Sequence, residues 1–161
     1  MPPLDGDEHT TLASWLDFYR ATLAGKCAGL TDAQLRTASV PPSTLTLQGL
    51  LQHETEVERN WFRRVLLGED VPTLYGPRSI EGHDGGFVPA DVPFESVHRT
   101  WQDEVARSRT ACAGRHLADT TPFMGGVVTL RWIYTHMIGE YARHCGHADL
   151  IREALDGATG V

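Results

Sequence analysis

Four long stretches of the chain repeat their apolar residues at intervals of three and four, and alternating strand patterns are absent. That spacing follows the 3.6-residue turn of an α-helix. In the first stretch Leu12, Leu16, Tyr19 and Leu23 line one face, and Trp15 widens it. Pro41 and Pro42 then forbid a continuous helix, because proline lacks the amide donor and its ring clashes with the preceding turn. The second stretch, "TLQGLLQHETEVERNWFRRVLLG", starts at a Thr46 cap and stops at Gly68. The third runs from about Pro93 to Arg115, with Phe94, Val97, Trp101, Val105, Ser108 and Cys112 on one face. The fourth begins near Thr129, continues to about Leu155 and meets a helix stop at Gly157.

Between the second and third stretches lies "GEDVPTLYGPRSIEGHDGGFVPADVP", dense in glycine and proline. It reads as a crossover connection rather than a linker between domains. Four amphipathic helices with one long connection predict an all-α four-helix bundle, a single domain over residues 1–161.

Charge narrows the function. The formal net charge is −7, and the 14 basic residues form no stripe. Nucleic acids and anionic membrane surfaces both select clustered Lys and Arg, so neither is an expected partner. No apolar run reaches the roughly 18 residues needed to cross a bilayer, and "MPPLDGDEHTT" is too acidic and polar for a secretory signal. The expected location is cytoplasmic. Cys27, Cys112 and Cys145 are odd in number and form no C-x-x-C pair, which predicts buried thiols rather than a disulfide framework or an all-cysteine zinc site.

The fourth helix carries "HMIGEYARHCGH", three histidines and a glutamate in a segment otherwise patterned for burial. With a residue advancing about 100°, and Glu140 set at zero, His136 falls at about −40°, His144 at about +40° and His147 at about −20°. Ile133 and Ile151 fall at about +20°, and Met137 and Leu155 at about +60°. The polar residues therefore sit in the middle of the apolar stripe. A carboxylate buried alone costs several kcal/mol, and a divalent cation is the strongest compensation available. Glu140 and His144, four apart, reach one point beside the helix. On the second helix His53 lies among Leu50, Val57 and Trp61, all within about 80° of it, so it too faces inward. His53, Glu140 and His144 make a two-His-one-carboxylate set, the composition of open catalytic zinc sites and of non-haem iron.

Other readings of the same residues stay open on spacing alone. An inward histidine can be a hydrogen-bonded core residue. Glu140 can pair instead with Arg143, or with Arg107 or Arg109 from the third helix. His136 and His147 share the face and can replace a ligand or support one from outside. Cys145, about 140° from Glu140, is not aimed at the site. "HETEV" has Val57 where a zinc-protease helix needs its second histidine. Glu-x-x-His pairs of the di-iron bundles are missing from the inward positions. "GHDGG", with His83 and Asp84, is too short a signal for a phosphate cradle and reads as a turn.

"LTLQGLLQHETEVERNWF" together with "TLRWIYTHMIGEYARHCGHADLIREALDG" resembles the DinB/YfiT-like superfamily, and within it the actinobacterial branch labelled a domain of unknown function (DUF664). The resemblance spans almost the whole chain, and "ARHCGHADLIRE" is its most specific part. It implies a four-helix bundle with a metal between helices, held by a histidine of the second helix and a pair spaced by four in the last. Those positions are His53, Glu140 and His144. A glutamate leading the pair is the pattern of this branch and of the mycothiol-dependent maleylpyruvate isomerases. Zinc is the implied metal, with nickel and iron accepted by the same ligands.

Relatives in that superfamily use mycothiol, bacillithiol or glutathione, and the arginine-rich composition favours mycothiol as co-substrate. The resemblance thus implies an S-transferase in which a metal-activated thiol attacks a small-molecule electrophile, with a homodimer as the expected assembly. His136 and His147 become the expected catalytic proton shuttles, and Arg143 and Tyr141 the expected contacts to the thiol cofactor. A metal-dependent hydrolase or isomerase, and a non-catalytic metal-stabilised binding protein, are the competing readings. Gly139 departs from the acidic residue common in relatives, and glycine weakens a helix interior by about 1 kcal/mol.

Overall fold

The computed structural model describes residues 1–76 and 86–160. Helix α1 spans Glu8–Cys27 and is capped by Asp7, whose carboxylate accepts from the Thr10 amide at 2.7 Å. A single turn, α2 (Asp32–Leu35), follows, with a capping box between Thr31 and Gln34. Helix α3 covers Leu47–Glu58, and the Thr46 hydroxyl accepts from Gly49 at its start. Its continuation over Arg59–Leu66 is π-helical. Helix α4 is Phe94–Cys112, and α5 is Leu130–Asp156, capped by Thr129 and ended by Gly157 at φ 77°. The expected helices are present, with these bounds.

Two features go beyond a set of amphipathic helices. Strands β1 (Thr120–Phe123) and β2 (Gly126–Thr129) form an antiparallel hairpin, with Thr120 opposite Thr129 and Phe123 opposite Gly126. Met124 at φ 48° and Gly125 at φ 79° make the two-residue turn, the left-handed pair such hairpins require. Four residues a side are too few to print an alternation. The second departure is α3, which is buried on every side from Leu47 to Glu58 rather than along one stripe.

Helix α3 is central because every flank is occupied. It packs against α1, α4 and α5, and α1 packs along α5. Leu16, Leu23, Leu50, Leu51, Phe62, Val97, Ile133, Met137 and Ile151 fill the space between them. The remaining face of α3 is covered by the returning end of the crossover, Gly86–Ala90. Gln52 donates to the carbonyls of Gly86 and Val88 and accepts from the Ala90 amide, while Gln48 donates to the Ala90 carbonyl. Apart from Glu54, the polar side chains of α3 are thus paired rather than solvated. Glu58 takes both arms of Arg20 at 2.7 and 2.8 Å, and Glu56 accepts from the Leu74 and Tyr75 amides.

All three cysteines are buried free thiols. Among the described residues no helix is long and apolar enough to cross a membrane. His83 and Asp84 of the crossover lie outside the described residues.

Candidate metal centre

His53 projects from the middle of α3 toward α5, where Glu140 and His144 stand one turn apart. One donor atom from each of the three lies within 4.8 Å of the other two. Among the described residues this is the only group of His, Cys, Asp or Glu compact enough to hold an ion. The His53 and His144 rings meet edge to face at 4.8 Å, and His144 Nε2 is 3.6 Å from Glu140 Oε2. Bonds of about 2.0–2.1 Å to a tetrahedral zinc put donors roughly 3.3–3.4 Å apart, so these side chains need to draw in by about an ångström. Two imidazoles and a carboxylate, gathered and largely buried, fit a divalent cation in both chemistry and reach.

The electrostatics favour ligand over acid. Burial holds the His144 imidazole down at about 3, helped by the neighbouring His53, His147 and Arg143, so its ring is neutral at any ordinary pH. His147 Nδ1 lies 3.2 Å from His144 Nδ1. With His144 as donor, that bond fixes the tautomer and leaves the Nε2 lone pair facing Glu140 and His53. Glu140 divides its oxygens. Oε1 accepts from Arg143 at 3.0 Å, and Oε2 faces His144. The Arg143 pairing foreseen as an alternative does form, yet it occupies one oxygen only, and Arg109 is engaged by Asp17 instead.

The remaining expected residues divide. Arg143 stands at the rim with its side chain 63% exposed. His147 braces His144. His136, half-buried one turn before Glu140, packs against Trp61 at 4.6 Å and Trp132 at 5.1 Å, and burial lowers its pKa. Tyr141 is not brought to the donors. It is 0% exposed, its hydroxyl accepts from Trp101 Nε1 and donates to Glu58, and it belongs to a buried network with Arg20.

Two residues escape a reading based on helical spacing. Phe87, in the returning crossover, stacks on His53 at 4.0 Å and 17° and leans toward His144. The available signal was in the glycines. A Cβ on Gly49 would collide with the Phe87 carbonyl, and one on Gly86, at φ 104°, would lie 2.7 Å from the His53 nitrogen. Glu54, beside His53 in sequence, is fully buried with neither carboxylate oxygen hydrogen-bonded among the described residues. Burial, then Glu58 and Glu140, push its pKa well up.

Comparison with known proteins extends this picture. A crystal structure described as the conserved protein of locus from Enterococcus faecalis aligns with TM-score 0.64 at 14% identity, covering 95% of this chain and 99% of that one. At that identity it shows a shared fold. No curated protein matches the chain. Residues 11–157 match the mycothiol-S-transferase family, nearly the whole described fold and all three donors. The chain belongs to the mycothiol-S-transferase family.

Proposed function

We propose that this protein is a metal-dependent S-transferase that joins a low-molecular-weight thiol, mycothiol in the first instance, to a small electrophile at the His53–Glu140–His144 site. The fold behind this reading is a bundle of four long helices, with the metal held between α3 and α5. The observation that carries it is the buried convergence of two imidazoles and one carboxylate within 4.8 Å, in a chain of this family.

A divalent cation bound there would lower the pKa of a thiol, so that the thiolate, the nucleophilic form, dominates near neutrality. The protein's own groups supply the rest. His53, Glu140 and His144 would hold the ion, and three ligands would leave room for a sulfur. Of the histidines able to close the shell, His147 is turned to His144 Nδ1 and His136 is packed among indoles. That favours an open site over a purely structural one. His136, with its pKa lowered and one turn from Glu140, accepts the thiol proton. Arg143 at the rim offers a guanidinium to the polar part of the thiol cofactor.

The test is metal analysis of the purified protein combined with turnover of chlorodinitrobenzene over a panel of thiols. Wild type is expected to carry about one divalent ion per chain and to require an added thiol, with zinc preferred over nickel or iron. His53→Ala is expected to lose the ion. Full metal content in that variant would overturn the ligand assignment. Hydrolysis of substrates without any thiol would replace transfer with metal-activated water as the chemistry.

A further inference from the structure

The cleft that holds the donors does not end at Glu140. On α5, Trp132, His136, Glu140 and His144 follow one another at intervals of four, a row that climbs about 6 Å per step. On the opposite side, Trp61 lies two turns beyond His53 along α3 and its π-helical continuation. The two rows run antiparallel, since His53 meets His144 at one end while Trp61 meets His136 and Trp132 at the other. Phe123 of β1 closes that far end, 5.2 Å from Trp61. The hairpin is held there by the Thr121 hydroxyl, which donates to the Val65 carbonyl at 2.9 Å.

The four rings form a corner rather than a packed stack. Trp132 and His136 are parallel, 6° apart, and make one wall. Trp61 meets that wall at 50° and 55°, and Phe123 meets Trp61 at 47°. Trp61 is buried, yet Trp132 stays 47% exposed although it touches two other rings. Nearly half of Trp132 is therefore left exposed two turns from Glu140, with His136 as the step between.

We propose that this corner is the subsite for the electrophile, and that it selects a flat, electron-poor π-system such as an activated aryl halide, a quinone or an enone. The proposal rests on the S-transferase reading for its chemistry. Indoles carry negative charge on their ring faces and stack best with electron-poor planes. A ring resting on Trp132 and edged by Trp61 lies one to two helical turns from Glu140, about 6–12 Å, within the span of one small molecule. With chlorodinitrobenzene the sulfur–carbon bond forms and the carbon–chlorine bond breaks. Chloride leaves with the bonding pair, and the thiol proton passes by way of His136 to the solvent buffer. The continuous row from Trp132 to the donors marks the occupant as a substrate rather than a second protein.

The experiment separates binding from transfer. Unreactive meta-dinitrobenzene and non-planar nitrocyclohexane are titrated by equilibrium dialysis against the full chain loaded with zinc. Dinitrobenzene is expected to bind saturably and nitrocyclohexane about tenfold more weakly. Trp132→Ala, at an exposed position, is expected to lower dinitrobenzene affinity about tenfold, Trp132→Phe to restore most of it, and Trp15→Ala on distant α1 to change nothing. In turnover, Trp132→Ala is expected to raise the chlorodinitrobenzene KM while leaving the thiol KM unchanged. Equal binding of both probes, or equal loss with Trp15→Ala, overturns the subsite. So does a Trp132→Ala protein that binds dinitrobenzene normally but falls from dimer to monomer, which would make the corner an interface. Intact dinitrobenzene binding without thiol transfer leaves the subsite standing and removes the transferase reading.

Discussion

The Phe87 ring lies flat on the His53 imidazole, with 4.0 Å between centroids and 17° between planes. The contact is held from behind. Gln48 and Gln52 pin the Gly86–Ala90 backbone to α3, and Gly49 and Gly86 let the two segments touch. A segment with no regular structure thereby packs on the ring of a proposed metal ligand carried by a buried helix. The phenyl face thus adds a stacking contact to whatever else positions the ring.

It follows that Phe87→Ala should weaken metal binding without removing a donor. Outer-sphere losses lower metal affinity by about 10- to 100-fold, and the lower end is expected for a stacking contact. Competition against a chromophoric chelator reads this directly. Phe87→Tyr keeps the ring and should bind metal like wild type. Equal affinity in Phe87→Ala and wild type would show that the His53 ring plane is set without Phe87.

The donors were legible because a helix turns a spacing of four into a shared point, and because His53 sits among Leu50, Val57 and Trp61. What covers them was not. Phe87 belongs to a stretch without periodicity, and the hairpin strands are too short to alternate. Gln48, Gln52, Glu56 and Glu58 look like solvent-facing positions, yet all are buried, because their partners come from distant segments that no local pattern announces. The π-helical register from Arg59 to Leu66 has no sequence signature either, although it sets how Trp61 meets α5.

Acid should loosen the metal-free protein through His144. Its folded pKa is about 3, against an ordinary 6.5, so between those values the unfolded chain binds the proton that the folded one refuses. The stabilising contribution is complete above about pH 6.5 and is lost as pH falls toward 3. His53, His147, Glu140 and Arg143 surround the ring. Denaturation of metal-free wild type and His144→Leu across that window is expected to show a shallower decline in the variant. Parallel curves would mean that His144 does not carry the transition.

Glu54 should act with the opposite sign. It has no hydrogen-bond partner among the described residues, and its folded pKa is raised well above 4.5. Folding therefore retains a proton that the unfolded chain releases, and stability drops as pH climbs above 4.5. A buried unsatisfied group costs about 1–3 kcal/mol, so Glu54→Met is expected to stabilise the protein by that order, with the gain larger at pH 8 than at pH 5. Urea unfolding at the two values measures it. A variant less stable than wild type at both would show that the carboxylate has a favourable partner, such as an internal water.

Tyr141 offers a choice between cofactor contact and structure. Its hydroxyl bridges Trp101 Nε1 and Glu58 Oε1, each at 2.9 Å, beneath the surface and alongside the Arg20–Glu58 pair. Tyr141→Phe keeps the ring, strands the indole N–H and takes one donor from Glu58. The expected cost is about 1–3 kcal/mol, or roughly 2–4 °C in Tm per kcal/mol at this chain length. Because the group has no exposed surface, the thiol KM should stay at the wild-type value while Arg143→Ala, at the rim, raises it. A Tyr141→Phe protein with unchanged Tm and a raised thiol KM would place the hydroxyl at the cofactor after all, and would require α5 to open there when the thiol binds.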